Sequence, residues 1–262
     1  MPAYPSTIRQ KIAKGDVVLG TYMLSHEPHV AAAIYAGCGV DWAWIDHEHE
    51  PVGTESVGTI AVMGRQAGVA PVIRVAWNDP ALIKKSYDVG AVGVMVPQVD
   101  NPEEARQAIK YAKYPPIGER GIAPFFAGFL GVSTDDVLKH ANSETVLILQ
   151  LESAEALEKV DETLKLKDFE VLLVGPADLS ASLGFPGNQR HAKVENAMVD
   201  VARKAKKAGK MLGCTFAAPD DCRRWIREGY RFMNVSSPME FGVPGIKKLV
   251  TGFREEFGLK KK

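Results

Sequence analysis

A chain of 262 residues with 32 basic and 32 acidic side chains carries no net charge at pH 7, so it lacks the electrostatic footprint of a nucleic-acid or polyanion binder. Hydrophobic residues make up 46% of it, yet no apolar run approaches the ~18 residues that span a bilayer, and the opening MPAYPSTIRQKIAKGD lacks a signal-peptide core. A cytoplasmic protein with no membrane or nucleic-acid partner is expected, with a length near the ~250 residues of a barrel of alternating strands and helices.

In chain order, short runs rich in Val, Ile and Leu occur at VVLGTY (17–22), WAWID (42–46), PVIRV (71–75), VGVMVP (92–97), TVLILQLE (145–152), VLLVG (171–175), MLGCTF (211–216) and RFMNVS (231–236). Between them lie stretches of helical periodicity such as PALIKKSYDVG, NPEEARQAIKYAKY, SAEALEKVDETLK, AKVENAMVDVARKAKKAG and DDCRRWIREG. Eight strand–helix alternations predict a parallel sheet closed into a (β/α)₈ TIM barrel, one domain over 1–262. An open doubly wound sheet is disfavoured, because the first strand is followed by GTYMLSHEP and not by GxGxxG. The longest segment without an assigned element is RGIAPFFAGFLGVSTDD (120–136), too long and too apolar for a turn. Its Phe125, Phe126 and Phe129 suit a cover over the barrel mouth, a contact with a neighbouring subunit, or a short helix on its own barrel. Cys38, Cys214 and Cys222 fit no paired metal spacing and read as reduced, mostly buried thiols, and EEFGLKKK reads as a solvated tail.

Chemistry in such a barrel sits where the strands end. The second strand runs into Asp46, His47, Glu48 and His49; the third ends near Arg74; the fifth ends with Gln150 and Glu152; the sixth ends in Gly175, Pro176, Ala177 and Asp178. Glu152 and Asp178, 26 residues apart, offer two carboxylates at strand ends, which suit a hard divalent cation better than a closed zinc site. His49 is a candidate for proton exchange, with Asp88 as its carboxylate partner. A helix start after Asp178 could hold a substrate carboxylate on its N–H groups, although simple capping by Asp178 or Ser180 fits the motif equally well. No predicted strand contains lysine, which speaks against a Schiff-base route.

WAWIDHEHEP, PVIRVAWNDP, LIKKSYDVGAVGVMVPQVDNPEEAR, YPPIGERG, LQLES and VGPADLSASLGFPGN resemble, in the same order, segments of the HpcH/HpaI family of class II pyruvate aldolases, such as 4-hydroxy-2-oxoheptanedioate aldolase and 2-dehydro-3-deoxyglucarate aldolase. The resemblance extends from about residue 17 to 250. It implies a carbon–carbon lyase that forms or cleaves 4-hydroxy-2-oxo acids through a pyruvate enolate at a divalent cation (Mg²⁺, Mn²⁺ or Co²⁺). Glu152 and Asp178 fall on its metal ligands, His49 and Asp88 on its base dyad, and Arg74 on the group that binds the keto oxygen. Asp46 falls on a further carboxylate of the mouth, and Gln150, Ala177 and Asp178 on the substrate-binding side. It also implies a homo-oligomer, a hexamer built as a trimer of dimers that exchange the last helix, acting on a 2-oxo acid and an aldehyde. Two departures stand out: His47 occupies a position where relatives carry a small residue, and IAPFFAGFLG replaces a glycine- and arginine-containing stretch. Oxaloacetate decarboxylation, enolate-using synthesis and, from another class, a non-catalytic 2-oxo acid sensor are the alternatives.

Overall fold

Strands that are apolar at every position need cover on both faces, and a closed parallel barrel supplies it: one face looks inward and the other meets the helices. The computed structural model describes residues 3–23 and 27–260. Its strands are β1 (Val18–Tyr22), β2 (Trp42–Asp46), β3 (Ala70–Arg74), β4 (Gly93–Val96), β5 (Val146–Leu151), β6 (Val171–Val174), β7 (Met211–Thr215) and β8 (Phe232–Asn234). Each pairs in parallel with the next, and β8 returns to β1 through Val18↔Phe232 and Gly20↔Asn234. The predicted (β/α)₈ barrel is therefore the fold.

Ahead of β1 lies α1 (Ile8–Lys14), and α2 (Pro28–Gly37), α3 (Thr54–Gln66), α4 (Pro80–Asp88) and α5 (Pro102–Ala112) follow the first four strands. Two further helices, α6 (Phe126–Leu130) and α7 (Thr134–Glu144), precede β5. The circuit continues with α8 (Ala154–Thr163), α9 (Pro176–Ser182), α10 (Ala192–Ala208), α11 (Pro219–Arg227) and α12 (Pro238–Glu256). Six of these helices begin at proline, whose fixed φ and missing N–H suit a first turn. Asp79 illustrates the capping that accompanies it, accepting from the N–H groups of Ala81 and Leu82 at 2.8 and 3.0 Å. No helix among the described residues is long and apolar enough to cross a membrane.

Two apolar layers result. Ile8, Val18, Trp42, Trp44, Val72, Met95, Ile148, Leu173 and Phe232 fill the barrel, while Ala43, Ile45, Ile73, Leu149 and Leu172 face the helices. Trp42 is fully buried and stacks on Phe232 at 4.3 Å, a burial worth on the order of 3 kcal/mol. It leaves no room opposite: a Cβ at Gly20 would lie 2.2 Å from its ring. Cys214 and Cys222 are buried, Cys38 is exposed, and all three are free thiols.

The 120–136 segment contains α6, which packs on its own barrel and does not cover the mouth. Phe126 is buried against the guanidinium of Arg65, 3.9 Å from its ring centroid, and joins Ala127, Leu130 and Val137 beside Val62 of α3. Phe125 and Phe129 remain 67% and 61% exposed. Of the lysine-ended tail, residues 261 and 262 lie outside the described residues.

Candidate active site at the barrel mouth

Side chains alternate along a strand, so the parity that turns Trp42 and Trp44 inward also turns Asp46 inward, one step higher. The same parity carries Tyr22, Arg74, Gln150, Glu152, Gly175, Thr215 and Asn234 to one opening, a cavity of about 430 Å³ where the strands end. His49, Ala177 and Asp178 come to it from the loops and first helical turn that follow, and among the described residues its lining contains no lysine.

Arg74 is fixed by its neighbours. The β2–β3 register sets Asp46 beside it, and the guanidinium forks onto that carboxylate with Nε–Oδ1 at 2.8 Å and Nη2–Oδ2 at 2.7 Å. Its Nη1 lies 2.9 Å from Glu48 Oε2, and its Cζ is 4.7 Å from the Trp44 ring centroid. Asp46 also accepts from the Tyr22 hydroxyl at 2.6 Å and the Glu48 N–H at 3.0 Å. Burial works against the Asp46 charge, but Arg74 and these donors outweigh it and hold the carboxyl below its ordinary value. Glu48 is pushed up by burial, with Arg74 and His49 opposing and Asp46 and Asp178 reinforcing.

Glu152 is 5% exposed, and both its oxygens receive donors: Gln150 Nε2 at 2.6 Å and the Gln98 N–H at 3.0 Å. Gln98 adopts φ 50°, an uncommon conformation for a residue with a side chain, at the point where its N–H meets that carboxylate. A Cβ on Gly175 would fall 2.3 Å from Glu152 Oε1, so the glycine leaves the space the carboxylate occupies. Burial is the main force that pushes Glu152 up to about 7; the Gln98 N–H opposes it, the charges of Asp178 and Glu48 add to it, and Arg74 opposes it.

That environment fits a divalent cation. Two carboxylates line one cavity, and the buried Gln150 Oε1 has no hydrogen-bond partner among the described residues, which leaves a third hard oxygen unspent. Among the described residues no group of three or more His, Cys, Asp and Glu side chains is placed to hold a metal, so further ligands would be water or substrate. Asp178 stands exposed in the first turn of α9, which has no side-chain cap, so neither Asp178 nor Ser180 is engaged as one. Ser180 instead donates to the Ala177 carbonyl.

Asp88 is not brought to His49 within the chain. Helices following barrel strands run away from the mouth, so the last residue of α4 lies toward the end where β4 begins. Burial pushes the Asp88 carboxyl up to about 6 against the charges of Arg120, Lys84 and Lys85, and its Oδ1 has no hydrogen-bond partner among the described residues. The carboxylate beside His49 is Glu48, with Oε2 3.6 Å from Nε2, while the His49 side chain is 63% exposed. Lys210, the lysine nearest a strand, donates to the Phe169 carbonyl at the opposite end of the barrel.

Glu48, Tyr22, Thr215, Asn234, Ser237 and Glu240 are among the mouth residues to which the sequence assigns no role. Tyr22, Thr215 and Asn234 were detectable by the same strand-end rule that found Arg74 and Glu152.

Comparison with known proteins agrees with this fold. The model of the HpcH/HpaI aldolase/citrate lyase family matches residues 19–240. A 2-dehydro-3,6-dideoxy-6-sulfogluconate aldolase of Pseudomonas putida is 33% identical over 90% of this chain and 92% of its own. A 4-hydroxy-2-oxo-heptane-1,7-dioate aldolase of Klebsiella pneumoniae is 34% identical over 85% and 84%, and a 2-keto-3-deoxy-L-rhamnonate aldolase of Escherichia coli 33% identical over 87% and 85%. The crystal structure of an HpcH/HpaI aldolase/citrate lyase family protein from Burkholderia cenocepacia superposes with a TM-score of 0.87 at 29% identity, covering 95% of this chain and 99% of that one. The chain belongs to the HpcH/HpaI aldolase/citrate lyase family and, with it, to enzymes of the aldolase/lyase type.

Proposed function

We propose that the chain is a divalent-cation-dependent aldolase that joins pyruvate to an aldehyde, and cleaves the resulting 4-hydroxy-2-oxo acid, through the pyruvate enolate. The observation that carries this reading is one cavity holding Glu152, Asp178 and the braced Arg74. The relatives' names agree on a 2-oxo (2-keto, 2-dehydro) function and differ in the rest of the substrate, as a site conserved in its pyruvate half would require. When bound by Glu152 and Asp178, a Mg²⁺, Mn²⁺ or Co²⁺ ion supplies Lewis-acid polarisation of the 2-oxo carbonyl.

Arg74 donates to the same carbonyl oxygen and stabilises the negative charge that grows there as a methyl proton leaves. Ala177 and Asp178 offer backbone N–H groups at the start of α9 to the pyruvate carboxylate, with Gln150 beside them. His49 takes the proton, with a Glu48 carboxylate oxygen 3.6 Å from its Nε2. In the forward direction the enolate carbon bonds to the aldehyde carbon, the carbonyl electron pair moves to oxygen, and that oxygen takes up a proton. Pyruvate plus aldehyde thus balances the product with no other reactant. Participation of Asp88 in a His49 relay requires a second copy of the chain, since one copy holds the two at opposite ends of its barrel.

Exchange of the pyruvate methyl protons in D₂O, followed by NMR, tests the reading. Exchange should vanish with chelator and return with Mg²⁺, Mn²⁺ or Co²⁺. Chelator-resistant exchange would sink the cation-dependent mechanism; CO₂ release from oxaloacetate without pyruvate exchange would make the protein a decarboxylase, and saturable pyruvate binding without either a sensor.

A homo-oligomer with an exchanged last helix belongs to the same proposal. None of the residues of α12 is buried, yet Phe241, Ile246, Leu249 and Phe253 are apolar and 63%, 63%, 61% and 55% exposed. A helix with so apolar a surface needs a partner face. Light scattering should give a multiple of the chain mass, falling toward one chain when Phe241 and Leu249 are both changed to Glu; a monodisperse single chain for the unaltered protein would end this part of the proposal.

A further inference from the structure

We infer that the β7–β8 side of the mouth receives the aldehyde and selects an uncharged acceptor bearing a hydroxyl group over one ending in a carboxylate, an inference that rests on the aldolase reading above. The cavity has two walls. Glu152, Asp178 and Arg74, on the β3–β6 side, are spent on the 2-oxo acid. Across the opening, next to β1 in the closed barrel, stand Thr215, Asn234, Ser237 and Glu240.

Asn234 is 4% exposed, and its Nδ2 donates to Thr215 Oγ1 at 2.9 Å. The pairing leaves two groups unfilled. Among the described residues Asn234 Oδ1 is buried without a hydrogen-bond partner, and the Thr215 hydroxyl, having accepted from Asn234, still has a proton to give. One acceptor and one donor on adjacent strands match an alcohol, which donates through its O–H and accepts at its oxygen. An unpaired buried carbonyl oxygen is costly, so a ligand that fills it gains what an isostere without the hydroxyl forfeits.

Charge discriminates in the same direction. Among the described residues Arg74 is the only arginine or lysine lining the cavity, and Asp46 and Glu48 already face it. On the β7–β8 side the rim carries Glu240 instead, oriented by the Ser236 hydroxyl at 2.6 Å and by the Ser237 cap on its N–H at 3.2 Å. A carboxylate-ended aldehyde therefore meets a fixed negative charge and, among the described residues, no unpaired arginine or lysine, in a site that also holds Glu152 and Asp178. Bond formation itself is the balanced addition described above; the wall acts on which aldehyde is held.

The test uses the metal-loaded full chain, pyruvate, and three acceptors: lactaldehyde, propanal and succinic semialdehyde. The readout is a ratio of kcat/KM values within each variant, which cancels differences in the fraction of active protein. In the unaltered enzyme lactaldehyde should exceed propanal by about 10- to 100-fold. Asn234→Leu and Thr215→Val should each bring that ratio to within about threefold of unity, and Glu240→Gln should raise the succinic semialdehyde to lactaldehyde ratio about tenfold. If Asn234→Leu does not fold, Thr215→Val carries the hydroxyl arm alone. An unaltered enzyme that prefers succinic semialdehyde, or lactaldehyde to propanal ratios unchanged in both variants, overturns the inference. Pyruvate methyl exchange in the unaltered enzyme separates the two failures: its loss sinks the aldolase reading, whereas exchange with the wrong acceptor ratios sinks only this one.

Discussion

Glu152→Gln and Asp178→Asn, made singly, should each lower kcat/KM for aldol cleavage by about 10³-fold or more while the barrel stays folded. The physical basis is the state of Glu152. Burial, reinforced by Asp178 and Glu48, pushes its carboxyl from 4.5 up to about 7, so the folded metal-free protein holds that proton more tightly than the unfolded chain does. Stability from this proton is complete below pH 4.5 and is lost as pH rises through about 7, an effect of about 3 kcal/mol in all. Glutamine keeps the shape of the protonated acid and cannot ionise, so the variant escapes the loss. Thermal unfolding of metal-free protein at pH 5 and pH 8 should show a steeper decline for the unaltered chain than for Glu152→Gln, and equal declines would mean that Glu152 does not titrate in this range. Because the cation must displace that proton, Mn²⁺ affinity should rise about tenfold per pH unit below about 7 and then level off. Gly175→Ala serves as a control that changes no charge: its Cβ would sit 2.3 Å from Oε1, and Mn²⁺ binding should weaken as the carboxylate is displaced.

How much of this was legible without coordinates follows from the physics of a closed parallel barrel. Both faces of every strand are covered, so each strand is a continuous apolar run, and all eight runs coincide with observed strands. The ends shift by a residue or more: β3 begins at Ala70, one residue early, and β8 is only Phe232–Asn234. What escaped were α1 and α7, and a short helix at α6 stood as only one of three readings of its segment, because their burial depends on surfaces the sequence does not display. Phe126 is buried because Arg65 is there to meet it, a contact across 61 positions of chain that no periodicity records.

The site divides along the same line. Arg74, Gln150 and Glu152 sit on or just past strands of known parity, so their convergence could be expected. Glu48 sits in a turn where parity lapses, and only the fold shows it between Arg74 and His49. Asp88 is the residue whose place the sequence does not show: within one chain topology keeps it from His49, and only a second copy could bring it there. A helix that leaves the mouth ends at the other side of the barrel, so a residue closing α4 cannot serve a histidine after β2 of the same chain.

Asp46→Ala should destabilise the protein by about 3 kcal/mol or more in chemical denaturation, because it strands a guanidinium that is 6% exposed. Arg74→Lys should cost less stability, since an ammonium keeps the charge, yet lower kcat/KM by about 10²-fold, because a point charge cannot reproduce two parallel N–H bonds to Asp46 while presenting a third donor to substrate. A structural ion pair would give the opposite order of importance, with activity following stability. The decisive variant removes both partners. Asp46→Leu with Arg74→Met replaces a buried pair by apolar groups of similar volume, a change that is often neutral or stabilising, and half-buried Glu48 can turn to water. Denaturation should then recover most of the loss seen in Asp46→Ala, while pyruvate exchange stays at background. Recovery of both would reduce Arg74 to a structural brace; recovery of stability alone means that the barrel retains a desolvated ion pair at its mouth for the charge that the reaction develops there.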